Sequence, residues 1–511
     1  MLHGKSKNTL SLTPLAPSQK IVFFGCGSVG KCCVYYLKDF LSFDYKQITI
    51  IDKDKKAFRF PPVKEAISQG ANALVYNIQR NTFERLLDEV LSLKKYDIVI
   101  DLSTNTSTYK IFKECRMRGL IYINTSIEDD KGLKYSNKCV ADSSIFLQHV
   151  NLQNIVNKTY DTDNVTTVVE FGMNPGLISV FVKRGLMHMA KMVLKRKKDK
   201  DLLHHYRQGD HKKVAEILKV RAIHCSEIDT QIPRKMPKED FVNTWSCVGL
   251  ITEGVEPAEI QIGTHEDVLP FKKGTVSELI PQLLVTKTPG QEIHFKSIVP
   301  LKITKNGVQF THITGRCIHH GEGISLNRYL GSFKYSPTMH YVYQLNPLTD
   351  KQLSTYSKKE LVEISNDASR WKVLNMYDND IRGYDNVGAL FVLEENPISG
   401  SDKPYCFWTG SILDDKYTKN VLNDPYFGPT TIQVMAGVLS AVHWVLNDNM
   451  NKGLVFGEDI DDKYIMRLAK KYLGVFYSGP VTGGLTLDGT TLDTLIFKGG
   501  SRINNVKVRD L

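Results

Sequence analysis

Three glycines in six residues, Gly25-Cys26-Gly27-Ser28-Val29-Gly30, stand between the apolar run Ile21–Phe24 and a stretch with helical character. This G-x-G-x-x-G spacing suits a dinucleotide. The first glycine allows the tight turn, the second lets the backbone approach a pyrophosphate, and the third lets helix pack on strand. The amino terminus of the following helix offers free N–H groups and a positive dipole end to the phosphates. A second apolar run, 47–51, ends at Asp52. A carboxylate there accepts hydrogen bonds from the adenosine ribose and repels a 2′-phosphate, so NAD is expected over NADP. Lys53 and Lys55 lie close enough to soften that preference.

Other residues could carry chemistry. The turn Phe171-Gly172-Met173-Asn174-Pro175-Gly176 places Asn174 after a strand, where its carboxamide could hold a substrate or a nicotinamide amide. Downstream come Glu227 and Asp229, then Trp245, Glu253, His265-Glu266, His320 with Glu322, and Asp378 to Gly388 including Asp385. Taken singly, each fits a surface loop as well as a site, and Trp245 fits a core position. The nine cysteines include no C-x-x-C pair, so no metal site is expected and reduced thiols in a cytosol-like compartment are.

The elements that must position these groups follow from the apolar patterning. Strands at 21–24, 47–51, 96–102 and 120–124 alternate with helices at 28–40 and 109–118. Near-continuously apolar strands in that alternation imply a parallel sheet covered on both faces. From about 223 to 413, runs such as IHFKSIVPLKI, MHYVYQL and GALFVLEE suggest a mixed or antiparallel sheet in a second domain. Strongly apolar 430–446 reads as a helix, with another at 461–472.

With 511 residues, two or three domains are expected. The amino terminus lacks the apolar core of a secretory signal, and no apolar run approaches the roughly 20 residues of a membrane helix. No membrane role is expected. The net charge of +11 is concentrated in 191–221, which holds eleven Lys or Arg against four acids. Leu202, Leu203, Tyr206, Val214, Ile217 and Leu218 recur there roughly at helical spacing, so a solvated helical insertion is expected, and no nucleic-acid partner.

Seven ordered segments, FGCGSVG, FGMNPG, SEIDTQ, NTWSCVGL, AEIQIGTHE, GYDNVGALF and FGPTTIQVMAGVLSAV, span about Lys20 to Leu473. Together they resemble the bacterial-type homospermidine synthases, relatives of saccharopine dehydrogenase. The resemblance implies an α/β fold: a Rossmann-type doubly wound parallel sheet plus an α+β catalytic and dimerisation domain with a mixed sheet. The implied division is a disordered tail at 1–18, an NAD-binding domain at 19–168, and a substrate and dimerisation domain at 169–424 with the basic insertion near 190–221. Helices at 425–475 pack back on the first domain, and 476–511 form an extension. The implied reaction joins two putrescines into homospermidine with loss of ammonia, using NAD as a recycled cofactor; the cysteine usage makes a cytoplasmic location, and the middle sheet domain a homodimer, the expectation.

The resemblance also implies roles. Gly25, Gly27, Ser28, Val29, Gly30, Asp52, Ser103, Thr125 and Pro175 would hold NAD. Glu227, Glu253 and Asp385 would anchor amines or move protons, and the face of Trp245 would meet the developing iminium by cation–π attraction. Asn174 would orient the substrate, His320 would serve as the pocket histidine in competition with His312 and His319, and Glu128, Asn105 and Glu322 would bind substrate. Asn105 stands where an acid is expected, and Asn124 where an aspartate would be unsurprising; losing a carboxylate near the pocket would weaken one amine site or change the preferred chain length. The alternative reading is an NAD(P)-dependent saccharopine or carboxynorspermidine dehydrogenase-like oxidoreductase. That activity needs a cationic clamp for a carboxylate partner, for which Arg316 and Arg382 are the candidates. A catalytically dead dinucleotide scaffold is the remaining rival.

Overall fold

Ile21, Val22, Phe23 and Phe24 are each fully buried, as a strand covered on both faces must be. In the computed structural model they form the pivot of a parallel sheet ordered Leu454–Val455, Thr167–Val168, Ile121–Asn124, Ile98–Asp101, Ile21–Phe24, Ile48–Asp52 and Asn72–Val75. The structure describes residues 11–79, 81–104, 106–128, 144–159, 164–266, 268–269, 276–280, 283–305, 307–318, 320–332, 334–487, 496–497 and 506–507. From the pivot the chain builds first to one side, through Ile48–Asp52, and then to the other, through Ile98–Asp101. That reversal opens a crevice beyond the carboxyl ends of the strands, the position at which α/β sheets of this kind bind ligands.

The described residues fall into two compact units. The first draws on Met1–Lys134, His149–Val180 and Thr430–Leu473, the second on Tyr135–Gln148, Phe181–Pro429 and Gly474–Leu511. The passage between them comes at Val180, inside the Leu177–Leu194 helix, instead of at 168. The Phe171–Gly176 turn stays with the first unit because Glu170 N–H donates to Asn124 Oδ1 at 2.8 Å and Phe171 N–H donates to Asn124 O at 2.9 Å.

The apolar helix Pro429–Leu446 has the length and composition to cross a membrane, yet it lies in the core of the first unit. Ile432, Met435, Ala436, Val438, Leu439 and Val445 are fully buried. A methyl at Gly437 would fall on the Gly172 carbonyl, so this glycine lets the helix press on the Asn174 turn. The expected tail needs correction. Residues 11–18 are ordered, because Thr13–Pro14 pairs with Leu41–Ser42 and Thr13 Oγ1 meets His443 Nε2 at 3.0 Å. Residues 1–10 lie outside the described set.

The second unit is built on a mixed sheet, running Val276–Ile280, Leu283–Pro289, Pro257–Gln261, Thr338–Gln344, Val220–Asp229, Tyr384–Leu393, Tyr405–Asp414 and Val475–Pro480. The pairing of Thr338–Gln344 with Val220–Asp229 is parallel, while both neighbours beyond it are antiparallel. Val475–Pro480 is thus a sheet strand and not part of a separate extension. The basic segment also differs from a single insertion. It comprises the end of Leu177–Leu194, the short helices Lys200–Gln208 and His211–Ile217, and the start of the Val220–Asp229 strand. Leu202, Val214 and Leu218 are buried while Asp199 and Asp210 cap the two helices. Arg221 pairs with Glu394 at 2.7 Å and Lys219 with Glu395 at 3.3 Å.

Candidate active site

In the first unit, the expected cradle forms at the carboxyl ends of the parallel strands. Gly25 has φ +88°, and a side chain there would collide with Leu102 O. A Cβ built at Gly27 would meet nothing within 4 Å, so this face of the loop is open to a ligand. The Ser28–Tyr36 helix begins at Gly27 with no side-chain cap, which leaves its first N–H groups for phosphate. Asp52 braces the loop by accepting Cys26 N–H at 2.7 Å, and it also accepts Asp54 N–H at 2.8 Å. Each oxygen keeps a lone pair for a ribose hydroxyl. Ser28 Oγ lies 3.1 Å from Thr431 Oγ1 of the core helix. Val29 belongs to the first helical turn.

A methyl at Gly30 would fall on the carbonyl oxygen of Gly25. Overpacking costs about 1–3 kcal/mol, so Gly30→Ala is expected to weaken dinucleotide binding about tenfold or more. Titration calorimetry with NAD checks this, and an unchanged affinity would refute the cradle.

The neighbouring strand ends carry the rest of this half. Asp101, at the end of its strand, accepts Ser103 N–H at 3.2 Å, Ser103 Oγ–H at 2.5 Å and Tyr122 O–H at 2.8 Å. Burial pushes its carboxyl up, against the pull of those donors. Asn124 is buried and spends its amide on Tyr122 Oη at 3.2 Å, Ser126 O at 2.7 Å and the Glu170 N–H. It braces the Asn174 turn, so an acid is not missing from an open pocket at this position. Glu128 accepts from Ser126 Oγ at 3.1 Å, and its N–H donates to Thr108 Oγ1 at 2.8 Å. Thr125, Asn174 and Pro175 are partly exposed at the same sheet edge. Asn105 and His319 lie outside the described residues.

The second unit gathers most of the acids and aromatics. Glu227 and Asp229 alternate along one strand and so share a face. Tyr343 lies opposite Glu227 in the parallel register, and Asp385 lies opposite Asp229 in the antiparallel one. Tyr341 O–H donates to Glu227 Oε2, and its ring stacks on Tyr343 with centroids 5.4 Å apart. His320, which caps the Gly321–Leu330 helix, lies 4.2 Å from the Tyr341 ring centre. Its Nε2 meets Glu253 Oε2 at 3.3 Å and its Nδ1 meets Glu322 Oε2 at 3.4 Å. Burial alone would push this imidazole down, but Glu322 and Glu253 outweigh it and hold His320 well above the usual histidine range. Burial, followed by the charges of Glu227, Asp229 and Asp385, pushes the Tyr343 hydroxyl well up.

Trp245 is partly exposed beside the Cys247–Val255 helix that carries Glu253. Its indole N–H is directed at the Tyr343 hydroxyl, in a contact short of a full hydrogen bond. The structure therefore brings Glu227, Asp385, Trp245, Glu253, His320 and Glu322 into one acid-and-aromatic cluster. Sequence reasoning missed Tyr341 and Tyr343, which only the strand register reveals, and gave Asp229 no role. His312 lies elsewhere, exposed, with Nε2 facing Thr486 O at 3.2 Å. Among the described residues, no group of three His, Cys, Asp or Glu is arranged to hold a metal.

The clamp candidates are both engaged. Arg316 is buried and directed at Asp350 Oδ1 at 2.8 Å, Ser354 Oγ at 2.7 Å and the Gln291 carbonyl. Arg382 pairs with Asp380 at 2.8 Å and Asp415 at 3.1 Å.

Residues 21–168 match the family described as Saccharopine dehydrogenase NADP binding domain. The chain is 28% identical over 490 residues to the homospermidine synthase of Mesorhizobium japonicum, covering 93% of this chain and 91% of that protein. It is 28% identical over 472 residues to the homospermidine synthase of Blastochloris viridis, covering 91% of each. Among solved structures it is similar to the homospermidine synthase of Legionella pneumophila in complex with NAD, with a TM-score of 0.69, 26% identity and 92% of each chain covered.

Proposed function

We propose that this chain, similar along nearly its whole length to the homospermidine synthases and carrying a saccharopine dehydrogenase-type nucleotide domain, joins two putrescine molecules into homospermidine with release of ammonia. The observation that carries this reading is the cluster of buried Glu227, Asp385 and Glu322 with partly exposed Glu253 around Trp245, Tyr341 and Tyr343. A net positive protein that concentrates carboxylates in one place is built to receive cations. Both arginines that could receive a carboxylate partner already pair with acids of this chain, which disfavours the saccharopine-type condensation.

The residues of the cradle fit NAD. Gly27 faces open space, the helix start is uncapped, and Asp52 would repel a 2′-phosphate. When bound, NAD would accept a hydride from the carbon beside one amine and return it to the new imine. This chain's own groups manage charge and position. Putrescine amines carry protons at neutral pH, and an amine must lose one before its carbon can yield a hydride. Glu227, oriented by Tyr341, and Asp385 would anchor the amines. His320 would stay imidazolium between Glu253 and Glu322 and hold both carboxylates in place, and Glu253 would carry the proton that the departing amine needs to leave as ammonia. The Trp245 face would stabilise the iminium. Within the first unit, Glu128 and Asn174 are the candidate substrate-binding and orienting groups. The eight cysteines among the described residues are all free, which supports a cytoplasmic location, and we take the mixed sheet of the second unit as the homodimer surface.

Incubation with putrescine and catalytic NAD tests the reaction. Homospermidine and ammonia without net NADH are expected. Stoichiometric NADH would make the protein a dehydrogenase, and no turnover of any diamine would make it a scaffold. A second expectation concerns Gly249, where an added methyl would press on Trp245 Cζ3 at 2.8 Å. Gly249→Ala should lower turnover and leave NAD affinity unchanged; equal loss of both would place the defect in folding.

A further inference from the structure

Asp229 sits among the acids of the cluster, yet its surroundings differ from theirs. It is buried, and it accepts Gln231 N–H at 2.7 Å, Gln231 Nε2–H at 3.0 Å, Thr244 Oγ1–H at 2.8 Å and Asn346 Nδ2–H at 3.4 Å. Four donors leave little of its charge for an incoming amine. Two of them lead toward Trp245. Thr244 is its direct neighbour in sequence. Asn346 accepts from Thr349 N–H and Oγ1–H, each at 3.0 Å, and Thr349 Oγ1 also lies 2.9 Å from Val242 O, on the strand that delivers the Trp245 loop.

The far side of the loop is fixed as well. Asn243 Nδ2 donates to Ser246 O at 2.9 Å, and Ser246 Oγ caps the next helix by accepting Gly249 N–H at 3.0 Å. Trp245 is therefore presented between two tied flanks, with its ring laid over the bare surface of Gly249.

We infer that Asp229 is a positioning residue which, through the Thr244 hydroxyl, sets the Trp245 ring beside the acid row without touching substrate. The inference rests on the proposed reaction only for what the ring then does. A carboxylate suits this task because it accepts from four donors at once, whereas a neutral amide would have to spend two of its sites as donors. An indole that must meet a developing cation face-on tolerates little displacement. Misplacement of about 1 Å costs on the order of a hundredfold in rate.

The test is Thr244→Val, which keeps the shape and removes the hydroxyl, with Thr244→Ser as the conservative partner. Thr244→Val should lower kcat about tenfold to a hundredfold, with little change in the KM for putrescine or in NAD affinity, and Thr244→Ser should restore most of it. The emission attributable to Trp245, taken against the matching Trp245→Ala background, should shift in Thr244→Val and not in Thr244→Ser. In the Trp245→Ala background, Thr244→Val should cost nothing further. Wild-type kcat and emission in Thr244→Val, equal damage by Val and Ser, or an undiminished further loss without Trp245 would each overturn the inference. If the wild-type protein makes no homospermidine, the proposed reaction fails instead, while the emission comparison still decides the placement of the ring.

Discussion

Trp245→Ala is expected to reduce homospermidine formation at least thirtyfold and to leave NAD binding unchanged. The reason is differential. Putrescine arrives as a flexible diamine whose charges the carboxylates can meet with or without the indole. The iminium that follows is planar, cationic and desolvated, and it alone needs the aromatic face. A cation–π contact in such a setting contributes about 2 kcal/mol, which corresponds to roughly thirtyfold when it acts only in the transition state. Carving away the ring also removes its packing over Gly249, so a stability control is needed. Trp245→Phe supplies it, because phenylalanine keeps an aromatic face of weaker potential and should retain an intermediate rate. Parallel measurement of NAD affinity completes the experiment. A fall in affinity equal to the fall in rate would mean that Trp245 holds the second unit together and plays no part in catalysis.

The cofactor half was legible because its chemistry is written locally. The glycine spacing, the strand before it and the acid at the end of the next strand are all contained in 21–52, and short-range sequence encodes turns and helix starts well. The amine half was legible only through ordered motifs, and incompletely. Tyr341 and Tyr343 reach Glu227 because Thr338–Gln344 pairs in parallel with Val220–Asp229, a register joining residues more than a hundred positions apart. No local period announces such a pairing. The same non-locality explains Arg382, whose partner Asp415 follows a whole hairpin later. It also explains Thr13–Pro14, which finds its strand partner at Leu41–Ser42 and so is no loose tail. Asn124 was misjudged for a related reason: beside a strand end it looks like a pocket residue, and only the Tyr122 and Glu170 contacts show it to be a buried brace.

Acid should destabilise the protein steeply, and two histidines outside the catalytic cluster are the expected cause. His224 and His340 are register partners in the mixed sheet, with ring centroids 4.3 Å apart, and both are buried. His224 Nδ1 meets Ser297 Oγ at 3.1 Å, while among the described residues His224 Nε2 has no hydrogen-bond partner and the His340 ring has at most a weak backbone contact at Tyr341. The His340 ring instead stacks on Phe295 at 4.1 Å. Burial pushes His224 down to about 3, and burial together with the facing His224 pushes His340 well below the usual histidine range. Both are neutral when folded, whereas the unfolded chain binds a proton on each below about pH 6.5. Between that value and the folded pKa values the unfolded state therefore holds more protons, and stability falls with pH. At pH 5 the loss is about 2 kcal/mol per histidine, a size that requires only that the folded pKa lie below 5. His320 works in the opposite sense. Raised well above its unfolded value by Glu322 and Glu253, it stabilises fully below about pH 6.5 and loses that contribution as pH rises through its folded pKa. Urea unfolding from pH 7 to pH 5 should show the acid loss in wild type. His340→Phe, which retains the stack on Phe295 and cannot take up a proton, should flatten the mean slope over this range by about 1 kcal/mol per pH unit. An identical slope in the two proteins would mean that the buried pair takes no part in acid unfolding.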